Sequence, residues 1–428
     1  MPNRRRQKTR SARSKKPPSV RARSRPRARG GAGSAPRELA DLVSASERAA
    51  LYRPTGKALG LPGRVYGPEF YELERKALFP RRWCFVAAAS EMPRPGDVLP
   101  VSLAEHPLLL VRGADGEVRA FYNICRHRGM RLVIEKAGRK SELRCPWHGW
   151  TYGLDGRLAA TPGLGGVGTA EDPEFSCRDI ALAPVRCGLW HDAIAVNLDG
   201  RAPPLASEFR PFDRTLVADG YDLDAFRHLA TWETSYEGNW KVSVEGGIEE
   251  YHLPWGHPQF VATVAHQELK PLLGRNYAGH RVVNRHRSES GGAGPPHASL
   301  PVLPGFANGR DRYYIVSLFP TAIVALLADH YVFALFMPDG WNRTRIVFHI
   351  YVVGEAAQDP AHAEARKALY DAWAAVGGQD RDFVKYVHAN AGFRETAGVR
   401  TRFTPFWEQA VQHFQKLVIE TIGKRARA

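Results

Sequence analysis

Cysteine is scarce in this 428-residue chain, which has five. Cys84, Cys177 and Cys187 show no spacing typical of a disulfide framework, which argues against a small disulfide-stapled fold. We therefore expect reduced thiols in a cytoplasmic protein, because that compartment keeps thiols reduced.

Acidic residues are absent from residues 1–36, which carry thirteen Lys and Arg. These residues also lack Leu, Ile and aromatic side chains, so they cannot bury enough apolar surface to offset the entropy lost on ordering. Because the whole chain has a net charge of +16, the remainder carries only +3. We expect a disordered, solvated basic tail without nucleic-acid contact. An export signal would need an apolar segment after the arginines, and none follows.

Long uninterrupted apolar runs are also missing. The longest stretch, Tyr313–Met337, is broken by Pro320, Asp329 and His330, and β-branched and aromatic residues dominate its halves. This pattern predicts two buried strands, YYIVSLF and YVFALFM, and argues against a membrane span. We expect no contact with a membrane.

Two short motifs bring cysteine and histidine together, C-x-H-R-G at Cys125–Gly129 and C-P-W-H-G-W at Cys145–Trp150. Structural zinc is the alternative for such residues, but zinc fingers pair cysteine with cysteine and histidine with histidine. Here each motif carries one of each, which favours a Rieske-type [2Fe–2S] cluster over zinc. The predicted ligands are Cys125, His127, Cys145 and His148.

A second constellation lies in the segment EGGIEEYHLPWGH, which holds His252 and His257. On a continuous helix, residues five apart point about 140° away from each other, so both could not bind one metal. Pro254 predicts that the helix ends between them, which would let His257 turn back. Two histidines and a downstream acid would form the facial triad of non-haem Fe(II) oxygenases. A one-electron relay beside an open iron site suits the activation of O2.

Together these motifs resemble the large, oxygenase subunit of Rieske non-haem iron oxygenases, a family that includes ring-hydroxylating dioxygenases and choline- and betaine-type monooxygenases. The resemblance covers nearly everything after the tail. It includes FYNICRHRGMRL, CPWHGWTYGLDGRL, EGNWKVSVEGGIEEYHLPWGHP and the closing helices from Gln379 to Ile422. It implies a [2Fe–2S] cluster, a mononuclear Fe(II), a small-molecule substrate, O2, and a ferredoxin or flavin reductase as electron donor.

The resemblance also implies the third iron ligand, an aspartate at the start of a late helix. That aspartate lies eight residues before a position that His388 fills here, which points to Asp380, with Asp382 as the alternative.

Glu249 matches the family's bridging carboxylate. It lies three residues before His252, so on a helix both would share one face and the carboxylate could accept the imidazole N–H. In the family this carboxylate also contacts a cluster histidine of a neighbouring subunit in a trimer, which here would be His148. The resemblance therefore implies a homotrimer with electron transfer between subunits.

The substrate branch stays open. Glu249 in place of the usual aspartate, and N-W-K at 239–241, favour the amine-oxidising branch, whereas Y-H-L-P-W-G-H is close to naphthalene-type enzymes. Gly246 stands where the amine-oxidising branch usually has asparagine, and the pair Gly246 and Gly247 would weaken a helix. Trp255 would line a pocket for a planar ring or a quaternary ammonium group. Four aromatic strand residues either line the same pocket or belong to the core: Tyr313, Phe319, Tyr331 and Phe333.

The predicted fold class is α+β, with a small all-β cluster domain and a larger domain whose antiparallel sheet is wrapped by helices. We expect a disordered tail at 1–36, an N-terminal helical segment packing on the catalytic domain at 37–80, the cluster domain at 81–201 and the catalytic domain at 202–428. The predicted function is hydroxylation of an aromatic or N-methylated small molecule. The alternative is an electron-transfer protein without oxygenase activity.

Overall fold

The structure, a computed structural model, describes residues 38–135, 138–257, 267–284, 300–306 and 312–423. The predicted disordered tail at 1–36 lies outside these residues. Within the described part of the chain, no helix is both long enough and apolar enough to cross a membrane. All five cysteines are described, and none forms a disulfide.

The first half of the chain folds into β structure. A six-stranded antiparallel sheet has the order β1-β9-β8-β4-β3-β2, and a three-stranded sheet has the order β5-β6-β7. The strands are β1 (Cys84–Ala88), β2 (Val98–Leu103), β3 (His106–Arg112), β4 (Val118–Tyr122), β5 (Leu143–Arg144), β6 (Thr151–Tyr152), β7 (Leu158–Ala160), β8 (Pro184–Trp190) and β9 (Ala193–Asn197). The first Cys-His motif follows β4, and the second lies between β5 and β6.

The second half is built on a seven-stranded antiparallel sheet with the order β10-β16-β15-β14-β13-β12-β11. Its strands are β10 (Phe226–Tyr236), β11 (Gln267–Leu273), β12 (Tyr277–Asn284), β13 (Arg312–Leu318), β14 (Ala322–Leu326), β15 (His330–Pro338) and β16 (Thr344–Val353). Every residue of β14 and β15 is buried, because the sheet is covered on both faces there. The stretch Tyr313–Met337 therefore contains residues of three strands, whereas two were predicted. The additional strand is β14, because the segment between Pro320 and Asp329 has enough residues to pair with β13 and β15.

Helices flank these sheets. They are α1 (Leu39–Leu42), α2 (Ala45–Leu51), α3 (Pro68–Ala77), α4 (Leu205–Ala218), α5 (Trp240–Gly247), α6 (Leu253–Gly256), α7 (Ala363–Ala391), α8 (Phe393–Thr396) and α9 (Gln409–Gly423). Helix α5 packs against β14 and β15, and α7 packs against β10 and α5. The α+β class, with an all-β part and a helix-flanked antiparallel sheet, is confirmed.

Several helix bounds differ from the sequence prediction. The sequence predicts a helix at about Pro68–Ala77, which are the bounds of α3. It also predicts a last helix at Pro405–Ile422 from apolar residues three and four apart, whereas α9 begins at Gln409. The Pro-containing segment Ala202–Pro211, which the sequence suggests as a domain boundary, runs into α4, whose buried apolar face outweighs the backbone hydrogen bond lost at Pro211. Helix α7 continues through Gly377 and Gly378 for 29 residues, because packing of one face overrides the weak helix propensity of glycine.

A buried ion pair joins the N-terminal helical segment to α5. The Lys241 ammonium lies 2.6 Å from Glu74 Oε1, and both side chains are fully buried. The Trp240 indole N–H donates to Glu74 Oε2 at 3.0 Å, and the ammonium faces the rings of Tyr66, Phe70 and Trp240. Burial raises the pKa of Glu74 and lowers that of Lys241, so each charge depends on the other.

A second polar network surrounds Glu245, also on α5. Its carboxylate accepts hydrogen bonds from the Tyr66 hydroxyl at 2.9 Å and from Gln415 Nε2 on α9 at 3.1 Å. Burial raises the pKa of Glu245 to about 7, although these two hydrogen bonds and the charges of Lys241 and Arg394 oppose the shift. Helix α5 is therefore fixed to the N-terminal segment through Tyr66 and to the C-terminal helix through Gln415.

We predict that Lys241→Met destabilises the protein by about 3–5 kcal/mol, because Glu74 would remain buried without its cation. Denaturant unfolding measures the effect. The double variant Glu74→Gln/Lys241→Met should lose less than the sum of the two single variants. Lys385→Met, which removes the exposed partner of Glu237, serves as the surface control and should have a much smaller effect. Equal effects at the two sites would contradict the assignment.

A pH-dependent contribution to stability is expected from Glu245. Its pKa is about 7 in the folded protein, above the ordinary value of about 4.3 in an unfolded chain. The folded state then binds a proton that the unfolded state lacks, so this stabilisation is full below about pH 4 and is lost as the pH rises through 7. Between pH 5 and 8 the free energy of unfolding of the wild-type protein should fall by roughly 3 kcal/mol because of this group. Glu245→Gln should lack this fall, and thermal unfolding at several pH values measures the difference.

The exposed variant Glu233→Gln should leave the wild-type pH dependence unchanged. Parallel curves for Glu245→Gln and wild type would mean that Glu245 does not titrate in this range.

Candidate metal centres

The two Cys-His motifs form a pair of equivalent loops. In the first, the Cys125 N–H donates to the carbonyl of Met130 at 2.8 Å, and in the second the Cys145 N–H donates to the carbonyl of Trp150 at 2.8 Å. Gly129 and Gly149 adopt left-handed backbone conformations, with φ of 78° and 71°. Glycine takes this conformation without the steric penalty of a side chain, so both loops can turn tightly at the same relative position.

The four predicted cluster residues lie at the tips of these loops. Cys125 and Cys145 are buried, whereas His127 and His148 are exposed, and the two imidazole ring centroids are 4.6 Å apart. The His127 ring stacks on Trp150 at 4.8 Å. The Tyr152 hydroxyl lies 3.3 Å from Cys125 Sγ. Sulfur on the inner side and imidazole on the outer side is the arrangement that two cysteines and two histidines would need to hold a [2Fe–2S] cluster.

The second site begins where α5 ends at Gly247. Glu249 lies in the turn that follows, and its carboxylate accepts hydrogen bonds from the backbone N–H groups of Tyr251 at 2.5 Å and His252 at 3.2 Å. Helix α6 then starts at Leu253 with Pro254 in its first turn. The prediction that Pro254 ends the helix was wrong, because proline is well tolerated in the first turn of a new helix. The prediction that Glu249 and His252 share a helical face was also wrong, since the turn itself brings them together.

His252 and His257 nevertheless approach each other from the two ends of α6. Their Nε2 atoms are 3.2 Å apart, and Asp380 Oδ1 lies 3.0 Å from His257 Nε2 and 3.7 Å from His252 Nε2. One ligand atom from each of the three residues lies within 4.8 Å of the others. The structure therefore brings the three predicted iron ligands together.

The outer nitrogen of each imidazole is hydrogen-bonded to an oxygen. His252 Nδ1 lies 2.5 Å from Glu249 Oε1, and His257 Nδ1 lies 2.6 Å from Gln379 Oε1. An Nδ1–H donated to these oxygens leaves the Nε2 lone pair facing inward. Two such lone pairs and a carboxylate oxygen repel one another unless a cation lies between them, so this donor set fits a metal ion, and its composition fits Fe(II).

The electrostatic environment of His252 favours its positively charged form. Burial disfavours protonation of His252, but the hydrogen bond to Glu249 and the negative charges of Glu249 and Asp380 outweigh it and raise its pKa. An environment that favours positive charge at the imidazole also favours a bound cation.

The two candidate acids, Asp380 and Asp382, lie on one helix but differ in exposure. Asp380 lies in the interior of α7, although the resemblance implied the start of a helix. Asp382, the alternative, is exposed. Gln379 was missed by the sequence analysis, because no local signal indicates that an amide 122 residues away holds His257.

A cavity of about 550 Å³ adjoins the three residues. Its walls are largely apolar and come from α5, α7 and the sheet, including Ile315, Ile323, Val332, Ala334, Phe336, Phe348, Trp373 and Val376. Of the four aromatic strand residues considered, Tyr313 lines it, whereas the other three are buried core residues. Trp255 was expected to line the pocket, but it is 82% exposed, since it lies on the outer face of the one-turn helix α6.

Comparison with known proteins matches two family models to this chain. Residues 82–171 match the Rieske [2Fe–2S] domain, and residues 223–424 match the catalytic domain of the ring hydroxylating alpha subunit. The first match covers both loops, and the second covers the facing histidines and Asp380.

Curated relatives match about half of the chain. The glycine betaine monooxygenase oxygenase subunit of Chromohalobacter salexigens is 33% identical over 202 residues, covering 47% of this chain and 44% of that protein. The anthranilate 1,2-dioxygenase large subunit of Acinetobacter baylyi is 30% identical over 205 residues, covering 47% and 43%. The matched part thus spans less than half the length of these relatives.

Solved structures show the same fold. A quaternary ammonium Rieske monooxygenase superposes with a TM-score of 0.74 at 22% identity, covering 90% of this chain and 100% of that chain. Naphthalene 1,2-dioxygenase from Rhodococcus sp. superposes with a TM-score of 0.68 at 19% identity, covering 85% and 94%. The resemblance predicted from the sequence is confirmed at the level of its two domains: a Rieske [2Fe–2S] domain precedes the catalytic domain of a ring hydroxylating alpha subunit in this chain.

Proposed function

We propose that this chain is an oxygenase subunit that uses O2 and relayed electrons to hydroxylate an aromatic or N-methylated small molecule. The cluster is held by Cys125, His127, Cys145 and His148, and the mononuclear iron by His252, His257 and Asp380. The observation that carries the proposal is the convergence of two Nε2 atoms and one carboxylate oxygen beside an apolar cavity.

The protein groups prepare this centre for a reaction with a bound organic molecule. When bound, the mononuclear iron supplies O2 activation, and the cluster supplies electrons one at a time. His252, His257 and Asp380 would hold the metal through three donor atoms, and the cavity that adjoins these residues would place a substrate beside it. Apolar walls exclude water from that side, which favours a substrate over solvent.

The substrate class follows from the cavity and from the relatives. Its aromatic side chains include Tyr313, Phe336 and Phe348, which can pack against a planar ring or offer their faces to a quaternary ammonium group. The relatives are named for glycine betaine and anthranilate, which represent these two classes. We propose a substrate from one of them, with a ferredoxin or flavin reductase as the electron donor.

Electron transfer is proposed to cross between subunits of a homotrimer. His148 is exposed at the tip of its loop, beside Trp147, which is 54% exposed, and the Arg128 guanidinium lies over the Trp147 ring. Glu249 holds His252 from the side away from Asp380, so its carboxylate is a suitable contact for the partner subunit's His148.

The surface near Glu249 favours such a contact. Tyr251 and Trp255 are exposed and lie close in sequence to His252, and exposed Phe383 follows Asp380 on α7. Exposed Phe406 contacts Trp407, on which Tyr251 stacks. An exposed apolar patch on a soluble enzyme marks an interaction surface, and the exposed arginines of the cluster loop complement the acidic Glu249. We therefore propose that the partner's cluster loops cover this surface.

Domain boundaries are proposed as the sequence suggested them, with a tail at 1–36, a helical segment at 37–80, the cluster domain at 81–201 and the catalytic domain at 202–428. The alternative function, electron transfer without oxygenation, is disfavoured because it requires neither the three facing ligands nor the cavity.

The two candidate acids of α7 provide a matched test. Asp380→Asn should abolish O2-dependent product formation and remove the mononuclear iron, while the two cluster irons and the visible spectrum of the cluster remain. Asp382→Asn, two residues away on the exposed face, should change neither property. Iron analysis and O2 uptake with a surrogate reductase measure both. Retention of iron and activity in Asp380→Asn would disprove the assigned ligand, and full activity without mononuclear iron would disprove the proposed function.

The electron path across subunits can be tested by complementation. Cys145→Ser and Asp380→Asn should each be inactive, but mixed oligomers produced together should regain activity, because an intact cluster then faces an intact iron site. Mixed oligomers of Asp380→Asn and His252→Ala share the same defect and should stay inactive. If mixed oligomers of Cys145→Ser chains and Asp380→Asn chains have the mass of the wild-type oligomer but stay inactive, electron transfer occurs within one chain.

A further inference from the structure

Helix α5 presents an unusual face to the cavity. Val242, Ser243 and Gly246 all line it, because Gly246 lies four and three residues after the other two and so shares their side of the helix. Glu245 and Gly247 also line the cavity, but neither leaves open space there. Glu245 is bound by Tyr66 and Gln415, and a side chain at Gly247 would come within 2.6 Å of Ile323 Cδ1.

Gly246 has open space where a side chain would lie, whereas Gly247 does not. A Cβ atom built at Gly246 meets no atom within 4 Å, and its backbone is not left-handed. Close packing against Ile323 explains the glycine at 247, but neither packing nor backbone conformation requires glycine at 246. Glycine is a poorer helix former than alanine, so Gly246 lowers the stability of the helix, and no packing contact or backbone requirement offsets this loss.

Ser243 supplies a second, independent sign of a ligand on this face. The residue is 4% exposed, and its hydroxyl makes no hydrogen bond to any residue that the structure describes. Buried hydroxyl groups are normally hydrogen-bonded, because an unpaired one loses its hydration without replacement. An unpaired hydroxyl one turn before an open glycine indicates that a polar group of a bound molecule lies against this face.

We propose that the Ser243–Gly246 face of α5 is the substrate-contacting wall that sets the size limit of the substrate, with Gly246 providing the space and Ser243 a polar contact. This inference rests on the proposed function and deepens it. The substrate is then a molecule with an apolar body that extends over Gly246 and a hydrogen-bonding group near Ser243. A side chain at position 246 would fill the space that the larger substrates occupy.

Graded substitutions at position 246 test the proposal. Gly246→Ala and Gly246→Leu are compared with Gly378→Ala and Gly378→Leu, because Gly378 is also helical and open to a Cβ atom but lies on the exposed face of α7. Binding to the iron-loaded, full-length protein is measured anaerobically by calorimetry with two probe pairs of different size, toluene and phenanthrene, and tetramethylammonium and carnitine.

For the probe pair that binds the wild-type protein, Gly246→Leu should lower the affinity for the larger probe about tenfold or more. It should lower the affinity for the smaller probe less than about twofold. Gly246→Ala should give an intermediate effect, and the Gly378 variants should change neither probe. Iron content and thermal stability should not fall in Gly246→Ala, because alanine favours the helix.

Four outcomes would overturn the proposal: no probe binds the wild type, Gly246→Leu leaves both affinities unchanged, it weakens both probes equally, or Gly378→Leu acts in the same way. Product analysis separates this inference from the proposed function. If the Gly246 variants bind the larger probe more weakly but the wild-type protein forms no oxygenated product, the substrate wall is retained and the oxygenase assignment is rejected. Product formation with an unshifted limit would reject the wall alone.

Discussion

Three electron-pair donors that face one another, two imidazoles and one carboxylate, determine how the surrounding protein has to be built. The Nε2 atoms of His252 and His257 and an oxygen of Asp380 approach within 3.0–3.7 Å. Without a positive charge between them such groups repel, so the fold must hold them in place until a cation binds. Glu249 and Gln379 do so by fixing the outer nitrogen of each imidazole.

The anchoring of α5 extends this constraint through the protein. Lys241 and Glu245, both on this helix, connect it to Glu74, Tyr66 and the C-terminal helix. The end of the same helix leads directly into the turn that carries Glu249 and His252, and its inner face lines the cavity. One short helix thus positions a metal ligand, its supporting carboxylate and a wall of the cavity, so its attachment has to be rigid.

Local sequence signals were sufficient for the parts of the site whose residues are close in sequence. The Cys-His loops and the histidine pair could be predicted because their spacing along the chain limits their geometry. Asp380 required the family resemblance, since it lies 123 residues from His257. Gln379 and the partners of Lys241 and Glu245 could not be predicted, because only tertiary packing brings them together. Pro254 was misinterpreted because proline can precede or follow a helix boundary, and its residue type does not distinguish the two.

Anomalous X-ray diffraction at the iron absorption edge, from crystals of the metal-loaded protein, would show whether both sites hold iron. We expect two separate iron positions in each chain. A binuclear peak should lie between Cys125, Cys145, His127 and His148, and a single peak should lie between His252, His257 and Asp380. A zinc signal at either position, or no iron peak among the three converging donors, would contradict this expectation.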